Sequence, residues 1–110
     1  MDKSRALTAF AALSQPMRLD TFRLLMRAGP KGMVAGEIAT TLGVRQNTLS
    51  ANLSLLQSAG LIRNQRAGRT IIYSIDLDGT RDLLGFLMED CCGGRPELCR
   101  PVIDQIACAC

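Results

Sequence analysis

The chain contains no histidine and few aromatic residues, three Phe and one Tyr among 110 residues. The missing histidine excludes the most. Ser-His and Cys-His nucleophile pairs, histidine general bases and every zinc site that uses imidazole are ruled out. No acid–base constellation can be assembled, so an enzyme is the least favoured class. Scarce aromatics argue against base stacking on a single-strand platform. No apolar run approaches the roughly 20 residues of a membrane span. The N-terminus, Met1-Asp2-Lys3-Ser4-Arg5, runs straight into an amphipathic segment without a signal-peptide pattern. The expectation is a cytoplasmic protein with no membrane partner, its thiols kept reduced.

The formal charge is +3, from 13 basic and 10 acidic residues. That suits a nucleic-acid partner without demanding one. A chain this short makes one domain with a small core, so a partner subunit is a plausible stabiliser.

The organising stretch is Val34 to Leu61. It reads as a short helix, a turn at Leu42-Gly43-Val44 and a longer second helix that Gly60 stops. Ile38, Ala39 and Leu42 share one face of the first helix. Leu49, Leu53 and Leu56 form one apolar stripe of the second. Opposite that stripe lie Gln46, Asn47, Ser50, Ala51 and Ser54, small or hydrogen-bonding and uncharged. A solvated face would carry Lys and Glu, whereas one that enters a DNA groove needs amides and hydroxyls for base edges. An ordinary helical hairpin with a Ser/Asn-rich surface is the plainer alternative.

Before this stretch, residues 4–13 form a helix with Leu7, Phe10 and Ala11 on one side. Ser14 or Gln15 caps a second helix with Pro16 at its first position. Leu19, Phe22, Leu25 and Met26 supply its buried face, and Gly29-Pro30 ends it; Lys31-Gly32-Met33 is a loop. After Gly60 the pattern alternates. Residues 61–66 and 70–75 read as two strands joined through Ala67-Gly68-Arg69. A hairpin directly after a helix-turn-helix is the order of a winged helix. Arg66 and Arg69 lie at its tip with Arg63 nearby, suited to phosphate or minor-groove contact where a solvated tip is the alternative.

Asp76 or Asp78 caps a further helix over about 79–90. Its Leu83, Leu84, Phe86, Leu87 and Met88 are apolar nearly all round. A symmetric dimer seam, shared with the first helix, would bury them. The alternative is that this helix plugs the monomer core.

All five cysteines fall in the last 20 residues. Cys91-Cys92-Gly93-Gly94 places two thiols where the glycines unwind a helix, and Pro96 bends the chain so that Cys99 can return. Three thiolates in a nine-residue loop suit a thiophilic ion of low coordination number. Trivalent arsenic and antimony favour three sulfurs in a pyramid. Tetrahedral zinc would want a fourth ligand, from Cys108 or Cys110, and no C-x-x-C pair is present. Unligated thiols on a loose tail are the alternative. Arg100 to Cys110 has room for one short helical turn around Val102–Ile106.

The chain resembles the ArsR/SmtB family of winged-helix metalloid- and metal-responsive repressors over roughly residues 5–90. The likeness rests on A-x-L-S-Q-P-x-R-L at Ala12–Leu19 and E-I-A-x-x-L-G-V-x-Q at Glu37–Gln46. It continues in T-L-S-x-N-L-x-x-L-x-x-A-G-L-I at Thr48–Ile62 and the basic wing with Tyr73. The resemblance implies a mainly α fold with a small β-hairpin, a dimeric winged helix-turn-helix. It implies a homodimer on a palindromic double-stranded DNA operator, released by a metal or metalloid. Family members with a C-x-C arsenic site carry it where this chain has Val34 and Gly36. The zinc sensors use Asp and His on the last helix, and there is no His here. Other arsenic-responsive members place a Cys-Cys pair and a third Cys just past the last helix, as Cys91, Cys92 and Cys99 do.

The leading expectation follows. Residues 1–90 form a winged-helix DNA-binding and dimerisation domain, and 91–110 a cysteine-rich sensing tail. DNA contact falls to Gln46, Asn47, Thr48, Ser50, Ala51, Ser54, Arg63, Arg66 and Arg69. As(III) or Sb(III), the inducer, binds Cys91, Cys92 and Cys99; no organic cofactor is expected. Alternatives are the same repressor tuned to methylated trivalent arsenicals, cadmium or lead, a thiol-redox switch, and a metalloid buffer with no DNA role.

Overall fold

The computed structural model describes residues 1–89 and 91–107, the side chains of Cys91, Cys92, Pro96 and Ala107 excepted. Its first element is α1, Lys3–Leu13, which Asp2 caps by accepting from the Arg5 N–H at 2.8 Å. Helix α2, Pro16–Ala28, begins at Gln15, whose side-chain oxygen accepts from the Arg18 N–H at 2.8 Å. Gln15 is therefore the cap, with Pro16 just inside. Gly29 ends α2 with φ 76° and leads into a 3₁₀ turn, Gly29–Lys31.

The loop expected next is partly a strand. Met33–Val34 forms β1, paired antiparallel with β3, Thr70–Ile75, in the register Met33↔Tyr73 and Val34↔Ile72. Two residues are too few to show an alternating pattern, so only the partner reveals this strand. Gly32 makes the approach possible: a Cβ there would collide with the Tyr73 carbonyl oxygen.

Helix α3, Ala35–Leu42, closes on Gly43 in the left-handed region (φ 68°, ψ 37°), and α4, Gln46–Ser58, follows. Gly60, φ 78°, turns the chain into β2, Ile62–Ala67. The hairpin of β2 and β3 pairs Ile62 with Ile75 through to Ala67 with Thr70, leaving Gly68-Arg69 as its two-residue turn. The three-stranded sheet has the order β1-β3-β2. Helix α5, Leu77–Leu87, starts at Asp76, which accepts from the Gly79 N–H at 3.0 Å. It is shorter than the expected 79–90 element at its C-terminal end.

The core gathers Leu25, Ile38, Leu49, Leu53, Leu56, Leu61, Ile62, Ile75 and Leu83 with Ala6, Ala9 and Ala12. The stripe expected on α4 is wholly inside. The faces expected on α1 and α2 are not. α1 buries Ala6, Ala9 and Ala12 and leaves Leu7, Phe10 and Ala11 exposed. Small residues let α1 lie close on α2 and α4, with α5 also against it. On α2, Thr21 and Leu25 are buried and Phe22 half-buried, while Leu19 and Met26 are exposed. Thr21 is at home there because its hydroxyl donates to the Met17 carbonyl at 2.7 Å.

Past α5 the expected irregular tail is also corrected. A 3₁₀ turn, Cys91–Gly94, is followed by a twelve-residue helix, α6, Pro96–Ala107. Pro101 lies inside α6 and reads as a breaker in sequence. The helix forms around it, with Leu98, Val102, Ile103 and Ile106 half-exposed. α6 packs chiefly on the 3₁₀ turn before it and stands off the body. The radius of gyration, 15.4 Å, accordingly exceeds the about 13 Å of a compact chain this long. Among the described residues no helix is long and apolar enough to cross a membrane.

Candidate DNA interface and thiol site

Burying Leu49, Leu53 and Leu56 forces the other side of α4 outward. Gln46, Asn47, Thr48, Ser50, Ala51 and Ser54 are all exposed. The cap residue of α4, Arg45, makes no side-chain capping bond. In the first turn the Thr48 N–H donates to Asn47 Oδ1 at 2.8 Å, while Arg45 offers no side-chain acceptor to the N–H groups of Gln46 and Asn47, which can face phosphate oxygens. Residues 38–75 hold Arg45, Arg63, Arg66 and Arg69 and no acidic residue, so these four charges exceed the net +3 of the whole chain. The outer helix-turn-helix and the hairpin thus carry positive charge only, Glu37 in the first turn of α3 being the acid next to them, while residues 1–34 are also net positive, with six basic and two acidic residues.

The hairpin is tied to α4 by one side-chain bond. Asn64 Nδ2 on β2 donates to Gln57 Oε1 on α4 at 3.1 Å. Between them opens a polar cleft lined by Ser54, Gln57, Ser58, Asn64 and Tyr73. Strand alternation puts Arg66 on the same face as Asn64, and Arg69 sits in the turn. Arg63 is on the opposite face, beside Met26, Gly29, Pro30, Ile75 and Leu77 at the end of α2. All three arginines are exposed.

Behind α4 lies a buried polar contact. Asn52 is 8% exposed and points at the junction of α1 and α2. Arg18 Nη1 donates to Asn52 Oδ1 at 3.0 Å, and Arg18 Nε donates to the Ala12 carbonyl at 2.6 Å. Asn52 Nδ2 donates to the Thr48 carbonyl at 3.1 Å and to Met17 Sδ at 2.9 Å.

At the other end of the chain, Cys99 is on α6, 5% exposed, and disulfide-bonded. It sits on a helix, where the sequence suggested a loop, and its sulfur is oxidised where a reduced thiol was expected. The backbone of Cys91 and Cys92 forms the 3₁₀ turn just before α6, with Gly93 and Gly94 at positive φ. The side chains of Cys91 and Cys92, and Cys108 and Cys110 altogether, lie outside the described residues. Among the described residues no three His, Cys, Asp or Glu side chains gather as a metal site.

Comparison with known proteins agrees with this geometry. Residues 13–65 match the model of a helix-turn-helix domain family. The HTH-type transcriptional regulator YgaV of Escherichia coli K12 is 31% identical over 88 residues, covering 80% of this chain and 87% of its own. An ArsR-like transcriptional regulator from Rhodococcus sp. RHA1 is 27% identical, with TM-score 0.71 over 94% of this chain and 93% of that one. The homodimeric winged helix-turn-helix DNA-binding domain Mb0332 of Mycobacterium bovis, described as a possible ArsR-family regulator, is 29% identical. Its TM-score is 0.64, over 79% of this chain and 81% of that one. The chain belongs to the ArsR/SmtB family of winged-helix transcriptional regulators.

In this family member, α3 and α4 are the helix-turn-helix and the β2–β3 hairpin is the wing. The positions that hold a C-x-C pair in some family members fall on Val34, in β1, and Gly36, in the first turn of α3. A side chain at Gly36 would press on Gln46 Nε2, 3.3 Å from its Cβ, so this corner is filled by the start of α4. Of the residues singled out from sequence, those on α4 share one exposed face with Arg66 and Arg69 at the wing beyond it. Arg63 stands apart. Sequence reading missed Gln57 and Asn64 in the cleft, held Tyr73 only as part of the wing motif, and missed the Arg18–Asn52 contact. The R-L of the Ala12–Leu19 motif contained Arg18, but nothing local linked it to a residue 34 positions away.

Proposed function

We propose that the protein is a homodimeric repressor that holds a palindromic DNA operator through α4 and the wing. It lets go when As(III) or Sb(III) binds the thiolates of Cys91, Cys92 and Cys99. The observation that carries the DNA reading is the uncharged, hydrogen-bonding face of α4 beside a wing whose charges are all positive. Amides and hydroxyls meet base edges, and arginines hold phosphates. Dimerisation is supported by the exposed Leu7, Phe10, Leu84 and Leu87 and by the homodimeric Mycobacterium bovis neighbour. Such a repressor works in the cytoplasm.

The sensor reading rests on chemistry and placement. Three thiols fall within nine residues directly after the helix assigned to the seam. As(III) takes thiolates, so Cys99 must first be reduced for the trio to act together. A ligand that binds better to the form unable to grip DNA releases the operator, and the coupling is reciprocal.

The test is a gel shift on the chain's own upstream DNA, under reducing conditions, with and without arsenite. Single Cys→Ser changes at Cys91, Cys92 and Cys99 keep operator binding and abolish release. Changes at Cys108 and Cys110 leave release nearly normal. The site is misplaced if the Cys108/Cys110 double variant is the one that stays bound in arsenite. Methylated trivalent arsenicals, cadmium and lead serve as parallel arms that identify the ion.

A thiol-redox switch is the second reading, favoured by the disulfide at Cys99. Two thiols would pass two electrons and two protons to a peroxide or a small disulfide and form one S–S bond. Loss of operator binding under mild oxidant, with no metal present, selects this reading.

A further inference from the structure

Among the described residues, Arg18 is the side chain that ties the end of α1, the start of α2 and the recognition helix together. It starts from α2 and donates in two directions, to the Ala12 carbonyl of α1 at 2.6 Å and to Asn52 Oδ1 of α4 at 3.0 Å. The planar guanidinium holds its donors in a fixed fork, so the two acceptors are fixed relative to each other. Asn52 has no slack on its side. Its amide nitrogen donates to the Thr48 carbonyl one turn back and to Met17 Sδ on α2. No buried side-chain N or O among the described residues lacks a partner, so breaking this contact would leave Asn52 Oδ1 buried and unpaired.

The consequence for α4 is rotational. Leucines Leu49, Leu53 and Leu56 hold α4 in the core, but apolar packing tolerates some roll. The hydrogen bond does not. A roll of about 20° moves a side-chain atom about 5–6 Å from the helix axis by about 2 Å, enough to break it. Such a roll would shift Thr48 and Ala51, which lie to one side of Asn52 on the helix surface, relative to the rest of the subunit. At its other end the fork grips α1, whose exposed Leu7 and Phe10 belong to the surface assigned to the dimer seam.

We propose that Arg18 is a positioning residue for operator recognition: through Ala12 and Asn52 it sets the roll of α4 against α1, and so the spacing of the two recognition helices in the dimer. This rests on the reading of the protein as a dimeric DNA-binding regulator. Arg18 and Asn52 face away from the DNA and carry no base contact.

The experiment measures binding to a series of operators whose half-sites are moved apart or together by one to three base pairs, and to a single half-site. Wild type, Arg18→Lys, Arg18→Gln, Asn52→Ala and the double variant Arg18→Gln/Asn52→Ala are compared, with melting temperatures alongside. Wild type is expected to prefer one spacing sharply. Arg18→Lys and Arg18→Gln are expected to lose roughly tenfold to a hundredfold at that spacing, the worth of one charge-assisted hydrogen bond. Half-site binding and the other spacings should change by only about threefold or less. The double variant should be no worse than Arg18→Gln, because both changes remove one contact. Equal losses at every spacing that track the melting temperature would overturn the inference and leave Arg18 a purely structural residue. Unchanged spacing preference in a stable Arg18→Lys protein would overturn it too, while DNA binding itself stands. A wild type that binds none of these DNAs overturns both readings together.

Discussion

Helices α4 and α5 each turn a face outward, and the two faces ask for different partners. That of α4 is Gln46, Asn47, Thr48, Ser50, Ala51 and Ser54, small or hydrogen-bonding and uncharged, with Leu55 also 51% exposed on this helix. That of α5 includes Leu77, Leu84 and Leu87, 55%, 43% and 55% exposed. An apolar groove of about 400 Å³ runs along α5 between Leu77, Thr80, Arg81, Leu84, Gly85 and Met88. Water covers the first face at little cost and the second poorly. The same exposure therefore means a polar, groove-shaped partner at α4 and a protein surface at α5. The two helices also differ in how they are held. α4 is buried along one complete stripe, whereas α5 buries only Leu83 fully.

The largest effect that could break this contrast comes from charging the α5 face. Leu84→Glu with Leu87→Glu should give a folded monomer in sedimentation. Its affinity for a two-fold operator should fall at least about a hundredfold, since the second half-site contact is no longer intramolecular. A wild type that sediments as a monomer at micromolar concentration would remove the reason for these leucines.

Next come the polar residues of α4. Gln46→Ala and Ser50→Ala should each cost about 1–3 kcal/mol of operator binding and relax the preference at particular base pairs, as read by competition with single-base operator variants. The dimer should be untouched. If either change instead shifts the sedimentation coefficient, the two faces are not separable.

Smaller and different in kind is the effect of the wing. Arg66→Ala and Arg69→Ala should weaken all sequences alike and lower the slope of log affinity against log salt by about one each. A base-specific loss would move these arginines from backbone to groove. The opposite-face position of Arg63 sharpens this: Arg63→Ala should reduce the slope less than either.

The smallest expected effect is on stability alone. Asp76→Ala removes the cap of α5 and should lower unfolding free energy by about 1 kcal/mol in a denaturant melt. Base preference should stay the same, because Asp76 begins α5 and lies outside α4 and the wing.

Much of the fold was legible because it is local. A stripe such as Leu49, Leu53 and Leu56 announces a helix and its inner side at once. Gly43 and Gly60 mark the ends, Asp76 the next beginning, and Gly68 the hairpin turn. The uncharged outer face of α4 was legible for the same reason, being the complement of that stripe. Where a helix had two candidate inner faces, the reading failed. α1 offers Leu7 and Phe10 on one side and Ala6, Ala9 and Ala12 on another. Hydrophobicity favours the first, but the close approach of α2 and α4 selects the second.

By itself, then, the sequence determined the order of α1 to α5 and the β2–β3 hairpin, the helix-turn-helix, the positive wing and the confinement of cysteine to one end. These follow from spacing along the chain and from composition. The pairing of β1, the side of the wing on which Arg63 falls, the helix around Pro101 and the clasp of Arg18 on Asn52 were decided by tertiary structure alone. Each depends on packing and neighbours that local spacing does not specify: β1 exists only because β3 supplies its hydrogen bonds, and Asn52 can be buried only because a guanidinium 34 residues away satisfies it.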